Sequence, residues 1–182
     1  MEGELAPRVG LIIGRFQPMH WGHVRLIEWI RTDGAAPHIG IGSSQFANTR
    51  ENPFTAAERR RMIDAANAAL GLKVGRVDEV PDIFDDEKWV GHVEACCGKF
   101  DIVYSNNEWT AGLFTTAGFE VRPTPMFERE RYEGARLREA IRANGLASVA
   151  DLIPAPVFGT LKEIDAEKRI RGSWNTPTPA RR

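Results

Sequence analysis

The hydrophobic positions at the start of the chain follow two patterns in succession. Val9–Gly14 is a short, continuous apolar run that ends in glycine, which is typical of a strand buried on both faces of a parallel sheet. From about Gly22 to Arg31, apolar residues recur at three-residue steps and predict one buried face of a helix. That face consists of Val24, Ile27 and Ile30, with Leu26 and Trp29 alongside.

A second strand is predicted at Ile39–Gly42, before a polar stretch. This stretch, Ser43 to Asn52, is long for a connector, and a functional loop is one interpretation of it. Thr55 and Glu58 then have the spacing of a capping box, because the side chain of each can bond the main chain of the other. They predict a helix start. The inner face of this helix is predicted to be Met62, Ile63, Ala66 and Leu70.

The alternation continues through the rest of the chain. It predicts strands at about Val74–Val80, Ile102–Ser105 and Glu120–Arg122, and helices at about Asp86–Cys97 and Asn107–Ala117. From about Gly134 to Arg171 the pattern is helical, with breaks near Pro154 and Pro156. Strands alternating with helices over short connections predict an α/β fold with a doubly wound parallel sheet. Ligands of such sheets bind outside the carboxyl ends of the strands.

Composition and charge set limits on this picture. With 42% hydrophobic positions among 182 residues, the chain can bury one packed core, so we predict a single domain over residues 1–171. Residues 1–8 are predicted as a short extension and residues 172–182 as a mobile tail. The formal net charge of −1 provides no overall attraction to nucleic acid or to an anionic membrane, and we expect neither partner.

The cysteines and the apolar runs bear on the compartment. Cys96 and Cys97 are adjacent, so they cannot join distant segments, and this favours a reducing environment. The sequence has no apolar run near the ~20 residues of a membrane span, and we predict a soluble, cytoplasmic protein. The charged runs Arg59–Arg61 and 128–131 are predicted to form solvated faces rather than a nucleic-acid patch.

The segment Gly14 to His23 has the chemistry of a phosphate site. Gly14 permits a tight turn, Arg15 can form a bidentate pair with a phosphate, and the helix after His23 offers free backbone amides. His20 and His23 are three residues apart with Gly22 between them, so both rings can point towards one small volume. The cluster favours function over the structural role that a single histidine more often has.

A metal pair is the competing interpretation of the two histidines. It would need further ligands at metal-site spacing, and only His38 and His92 remain as histidines. We therefore predict no metal ligand in the protein. The sequence also has no Walker A loop, no complete G-x-G-x-x-G and no G-x-S-x-G elbow, which disfavours the folds that these motifs mark.

The string Gly14 to His23 resembles, almost letter for letter, the G-R-F-Q-P-x-H-x-G-H segment of archaeal-type nicotinamide-nucleotide adenylyltransferases, in the H-x-G-H nucleotidyltransferase superfamily. The resemblance covers roughly residues 9–171 and continues at Ile41–Gln45, Asn52–Arg59, Trp89–Val93, Pro125–Phe127, Leu161–Asp165 and Arg169–Ile170. It implies a Rossmann-like nucleotidyltransferase fold with a C-terminal helical segment. It also implies adenylyl transfer from ATP to nicotinamide mononucleotide, giving NAD and pyrophosphate, with Mg²⁺ bound mainly through substrate phosphates.

The resemblance implies roles for individual residues as well. Catalysis would require charge neutralisation on the phosphoryl oxygens and no protein nucleophile. The residues implied in catalysis are Arg15, His20, His23 and Arg138. Those implied in ATP binding are Gly14, Arg15, Phe16, His20, Gly22, His23, Arg50 and Arg138. Arg136, at a position where the family often has an acid, is predicted as a further phosphate contact that compensates for Glu133. Those implied at the mononucleotide are Gln17, Asp82, Ile83 and Trp89. Trp89 would stack on the nicotinamide ring, and a core tryptophan is its other interpretation.

Two segments depart from the family's pattern. Glu133 and Ala135 stand where the last motif has serine and threonine, although Arg138 keeps its arginine. In the polar loop, Asn48 replaces a common histidine and Arg50 is displaced by one position. Two alternatives therefore stay open: a related transferase with another phosphate-bearing acceptor, and a nucleotide-binding homologue with weakened catalysis. The nicotinic acid analogue as acceptor, and a homo-oligomeric state, stay open too.

Overall fold

The structure is a computed structural model that describes residues 7–128 and 130–172. Its elements are β1 (Arg8–Gly14), α1 (Trp21–Thr32), β2 (Ala35–Gly42), α2 (Ala56–Leu70), β3 (Arg76–Val80), α3 (Asp86–Cys97), β4 (Ile102–Tyr104), α4 (Glu108–Thr116), β5 (Glu120–Arg122), α5 (Gly134–Asn144), a 3-10 helix (Leu146–Leu152), α6 (Ala155–Glu163) and α7 (Ala166–Arg171). Arg8 already belongs to β1, so the predicted extension is shorter than residues 1–8. Of the predicted tail, only Gly172 lies within the described residues.

The strands form one parallel sheet in the order β3-β2-β1-β4-β5. The chain moves outward from β1 to β3 and then returns to the other side of β1, so the direction of strand order reverses between β1 and β4. The predicted doubly wound α/β fold is confirmed. In sheets of this type, the reversal opens a crevice at the carboxyl ends of the two central strands, and a ligand is expected there.

Two hydrophobic clusters lie on the two faces of the sheet. The larger is formed with α1, α2 and the C-terminal helices, and the smaller with α3 and α4. The predicted inner face of α1, Val24, Ile27 and Ile30, is buried in the larger cluster. Burial of each such side chain contributes roughly 1.5–3 kcal/mol, so this face fixes the start of α1 against the sheet.

The predicted capping box at the start of α2 is present: the amide of Glu58 donates to Thr55 Oγ1 at 3.2 Å, and the amide of Thr55 donates to Glu58 Oε2 at 2.8 Å.

Some element boundaries differ from those expected. β2 begins at Ala35 and not at Ile39, passing through Pro37. Pro37 is tolerated because β3 begins only opposite His38, so the missing N–H interrupts no β3 pairing. Among the described helices, none is long and apolar enough to cross a membrane.

The C-terminal helical segment is interrupted more often than predicted. The break at Pro154 is confirmed, because α6 begins directly after it. Further breaks occur at Gly145 and Asp165, which have φ values of 87° and 51°. Both lie in the left-handed region, where an α-helix cannot continue. The segment therefore folds back on itself, and α5, α6 and α7 pack around the larger cluster.

Candidate active site

The turn after β1 depends on a glycine and a phenylalanine. A Cβ on Gly14 would lie 3.0 Å from the ring of Phe16, so the glycine makes room for that ring. The left-handed conformation belongs to Phe16, with φ of 50°. Gly14 thus serves the turn through its missing side chain and not through unusual backbone freedom. Phe16 is buried with its ring centroid 4.4 Å from that of His23, so its side chain supports a predicted site residue from below.

The two histidines at the start of α1 are stacked, with ring centroids 3.8 Å apart. The amide of His20 donates to His23 Nδ1 at 3.2 Å, which orients the second ring. His20 is 6% exposed, and its own Nδ1 has no hydrogen-bond partner among the described residues. A buried nitrogen without a partner is uncommon and is often explained by a ligand or water that supplies one. The rings converge on one volume, as their spacing predicts.

Gly22 and Tyr132 close the space around these rings. A Cβ on Gly22 would lie 2.8 Å from Tyr132 Cβ and 3.1 Å from His20 Nδ1. Only glycine fits there without moving one of them. Tyr132 is buried, and its ring lies 6.3 Å from that of His20. The glycine of the H-x-G-H string is thus a packing requirement of this site.

Burial decides the charge state of both histidines. It lowers the pKa of His20 to about 4. Burial, reinforced by the neighbouring His20, holds the pKa of His23 well below its usual range. Both rings are therefore neutral near pH 7 in the free protein. They are hydrogen-bonding groups there, and not the cations that charge neutralisation would need.

Arg138 lies beneath the phosphate segment. It is buried, and its Nη1 donates to the carbonyl of Gln17 at 2.7 Å. Burial, with the like charge of Arg15, lowers its pKa to about 10, so it stays cationic. The side-chain amide of Gln17 bonds the main-chain N and O of Phe54 at 3.0 and 2.9 Å. Gln17 thus links the turn after β1 to the residues just before α2.

The remaining predicted arginines are exposed but differ in their partners. The guanidinium of Arg15 forms no ion pair within the described part of the chain. Arg50 lies 3.7 Å from a carboxylate oxygen of Glu139. Arg136 lies 3.2 Å from a carboxylate oxygen of Glu133, which makes no capping hydrogen bond to α5. Exposed pairs are weak, but this pairing offsets the negative charge that Glu133 brings to the motif.

Two cavities open at the carboxyl ends of β1 and β4. The larger, about 580 Å³, lies against the starts of α1 and α4; the smaller, about 150 Å³, lies beside the end of β1. Of the predicted residues, the larger is lined by His20, Gly22 and His23, and the smaller by Gly14, Arg15, Asp82 and Trp89. Within the described residues, neither lining includes Phe16, Gln17, Arg50, Ile83, Arg136 or Arg138.

Trp89 lies between the core and the smaller cavity. It is 4% exposed and belongs to the smaller hydrophobic cluster, and it also borders the smaller cavity with its ring 5.7 Å from that of Trp109. Asp82, across this cavity, accepts a hydrogen bond from Ser43 Oγ at 2.7 Å. Ile83 packs against the cluster instead. The smaller cavity therefore offers an aromatic wall and polar groups, as a flat heteroaromatic ring requires.

Comparison with known proteins assigns the chain to a family. Residues 11–140 match the Cytidylyltransferase-like family. A nicotinamide-nucleotide adenylyltransferase of Haloarcula marismortui is 41% identical over 162 residues, 89% of this chain and 85% of the relative. The chain belongs to the archaeal nicotinamide-nucleotide adenylyltransferase family. Another family member, from Thermoplasma volcanium, is 38% identical over 160 residues, 88% of this chain and 89% of that protein.

A solved structure has the same fold. It is a bifunctional NMN adenylyltransferase/ADP ribose pyrophosphatase from Francisella tularensis, complexed with AMP and a manganese ion. The TM-score is 0.70 at 17% identity, and the match covers 91% of this chain. The chain spans 51% of that two-function protein. The likeness supports the Rossmann-like nucleotidyltransferase fold that the resemblance implies.

In this member of the family, residues after β4 also line the site, and the sequence analysis missed them. Asn107 and Trp109 border both cavities, so the cavities adjoin there. The Asn106 amide nitrogen donates to the carbonyl of Thr124 at 2.8 Å and holds the far wall of the larger cavity. The strand order could have located them, because β4 is the strand beside β1 at the reversal point. In the sequence, the available signal for these site residues was the pair Asn106 and Asn107, directly after the predicted strand Ile102–Ser105.

The prediction that Arg59 lies on a solvated face is wrong. Its side chain is wholly buried. Its guanidinium donates to six main-chain carbonyls, those of Arg15, Gly42, Ser43, Ser44, Phe46 and Thr55. Burial lowers its pKa to about 10, so it is still charged near pH 7. Arg59 fixes the ends of β1 and β2 and places a positive charge behind Arg15. The neighbouring Arg61 is exposed, as expected.

A group with metal-ligand chemistry lies elsewhere. His38 Nε2 is 2.6 Å from Asp78 Oδ2, and the thiol of Cys97 completes a set of atoms within 4.8 Å of one another. The Arg76 guanidinium already pairs with the Asp78 carboxylate at 3.0 Å. A guanidinium in that position would repel a divalent ion. We therefore assign His38, Asp78 and Cys97 to the packing of β2, β3 and α3. His38 is thus not a partner of the two histidines of the phosphate segment.

Proposed function

We propose that the protein transfers the adenylyl group of ATP to nicotinamide mononucleotide, forming NAD and pyrophosphate. One observation carries this proposal: two cavities adjoin at the strand reversal, one bordered by His20 and His23 and the other by Trp89. Two substrates can therefore lie side by side with their phosphates near Arg15. We also propose that the single domain, from Arg8 to Arg171, carries the whole reaction.

In the reaction, an oxygen of the mononucleotide phosphate attacks the α-phosphorus of ATP. The bond from that phosphorus to the bridging oxygen breaks, and pyrophosphate leaves with the electron pair. Arg15, exposed and without an ion pair in the described residues, is available to neutralise phosphoryl oxygens. His20 and His23, neutral in the free protein, serve as hydrogen-bonding groups for the triphosphate. Positioning and charge stabilisation then account for the catalysis.

Magnesium would bind at this site together with ATP. Mg²⁺ keeps most of its water and is commonly bound through substrate phosphates with few protein ligands. Glu108 borders the larger cavity and Asp82 the smaller, so each cavity has a carboxylate in its wall. When bound, the ion would neutralise charge on the phosphates. The solved neighbour contains a manganese ion together with AMP, which supports the proposal of a metal ion beside the nucleotide.

The experiment is a product assay of the purified protein with ATP, Mg²⁺ and a panel of mononucleotides. We expect NAD and pyrophosphate in equal amounts from nicotinamide mononucleotide, and measurement with the nicotinic acid analogue defines the acceptor range. Formation of neither product above a blank would refute the proposal. Products from another phosphate-bearing acceptor alone would identify the related transferase instead.

The weakened-catalysis alternative has its own control. It is motivated by Glu133 and Ala135, although pairing with Arg136 offsets the first. If the protein binds ATP in calorimetry but does not turn over, the double variant Glu133→Ser/Ala135→Thr should restore activity. A wild-type protein that is active, and that this double variant improves by less than about threefold, or about 0.7 kcal/mol, would remove the alternative.

A further inference from the structure

The segment between β2 and α2, residues 43–54, has no helix or strand to define its shape. Two of its residues, Ser43 and Asn48, have φ values of 50° and 56°, in the left-handed region. The segment leaves the carboxyl end of β2, borders the smaller cavity through Ser43, and carries Arg50. Side-chain bonds to the rest of the protein therefore hold it. Besides the bonds that Ser43 and Gln45 form with Asp82, two sets come from side chains outside the segment. We call residues 43–54 the loop.

One set comes from beneath the loop. Arg59 donates to the carbonyls of Ser43, Ser44 and Phe46, which fixes the first turn. Gln17 holds the last residue, Phe54, through its N and O. These bonds fix the two ends of the loop. They do not reach the turn around Arg50, in which the amide of Asn52 donates to Thr49 Oγ1 at 2.9 Å.

Arg169 of α7 supplies the second set. Its Nη2 donates to Asn48 Oδ1 at 2.8 Å and to the carbonyl of Pro53 at 2.7 Å. Its Nη1 pairs with Glu58, and its guanidinium lies 5.7 Å from the centre of the Phe54 ring. The Arg169 side chain is 20% exposed, so these are partly desolvated, charge-assisted bonds. One planar group thus joins the middle of the loop, its end and the start of α2.

We propose that Arg169 is a positioning residue for ATP binding: it holds the loop so that Arg50 is presented to the nucleotide. Arg169 borders neither cavity in the described residues, and it acts through Asn48 and Pro53. The proposal rests on the proposed function and on the role in ATP binding that the family resemblance implies for Arg50. A lysine can replace it only in part, because a point-charge ammonium does not reach three partners in the fixed geometry of a guanidinium.

The test compares steady-state constants of Arg169→Ala, Arg169→Lys and Arg61→Ala with the wild type. Arg61→Ala is the matched control, because Arg61 forms an exposed ion pair with Glu163 at 2.6 Å and does not bond the loop. We expect Arg169→Ala to raise KM for ATP about tenfold, with kcat and the mononucleotide KM within about twofold. Arg169→Lys should recover only part of this loss, and Arg61→Ala should change none of the three constants.

A second variant keeps the test decisive if Arg169→Ala does not fold. Asn48→Gly removes one acceptor and keeps the left-handed conformation without strain. We expect it to raise KM for ATP about threefold and to speed hydrogen exchange at the loop amides. An unchanged KM for ATP in folded Arg169→Ala, or in Asn48→Gly if the first is unfolded, would overturn the proposal. An inactive wild type would instead refute the proposed function, while loop exchange would still report on Arg169.

Discussion

The neutral state of buried His20 predicts a specific acid sensitivity of folding. Burial lowers its pKa from 6.5 to about 4, so the unfolded chain binds a proton at a pH where the folded protein does not. A histidine with a lowered pKa contributes stability that is present above about pH 6.5 and is lost as the pH falls towards 4. At pH 5 the unfolded form is almost fully protonated and the folded form is not. The linkage then amounts to about 2 kcal/mol of the free energy of unfolding.

The perturbation is His20→Asn, which removes the titrating group and keeps a polar side chain of similar shape. Urea unfolding at about pH 8 and pH 5 should show that the wild type loses about 2 kcal/mol more than the variant over this range. NMR should show that the His20 ring stays neutral in the folded protein down to about pH 5. Equal losses in the two proteins, or a ring that titrates near pH 6.5, would refute the reasoning from burial.

Two further predictions concern Arg59 and Trp89. Arg59→Met leaves buried carbonyls without their donor and should lower the free energy of unfolding by roughly 3–5 kcal/mol in urea titrations; a loss below about 1 kcal/mol would contradict its supporting role. Trp89→Phe should raise the mononucleotide KM about three- to tenfold and leave that for ATP within about twofold. Trp29→Phe, at a tryptophan outside both cavities, is its control, and equal effects of the two variants would exclude a specific role for Trp89.

Sequence patterns predicted the features that depend on neighbouring residues. The inner face of α1 follows from three-residue spacing, and the start of α2 follows from Thr55 and Glu58, which bond each other across one turn. The fold class followed from the alternation of such local elements. The meeting of His20 and His23 is also local, because one helical turn brings the two rings together.

Features that depend on distant parts of the chain could not be predicted in the same way. In the sequence, Arg59 looks like one of three exposed arginines. Its burial could not be predicted, because the carbonyls that accept its bonds come from the ends of two strands. Trp109 and Asn107 border the site only because β4 lies beside β1 in the sheet. The charge state of His20 follows from burial under Tyr132, a residue 112 positions further along the printed sequence. Each of these depends on tertiary packing.

The segment Gly14 to His23 contacts the start of α5. This contact helps to assemble the site, and it is distinct from the contacts that would bind phosphate. Arg138 binds the carbonyl of Gln17 across 121 positions of sequence, and a Cβ on Gly134 would lie only 3.2 Å from the same oxygen. This joint between the two segments uses Arg138, which keeps the motif's arginine, and Gly134. Glu133 and Ala135 alter hydroxyl positions that take no part in the joint. The departures from the family's pattern therefore leave this contact in place, and neither Glu133 nor Ala135 is among the described residues that border the two cavities.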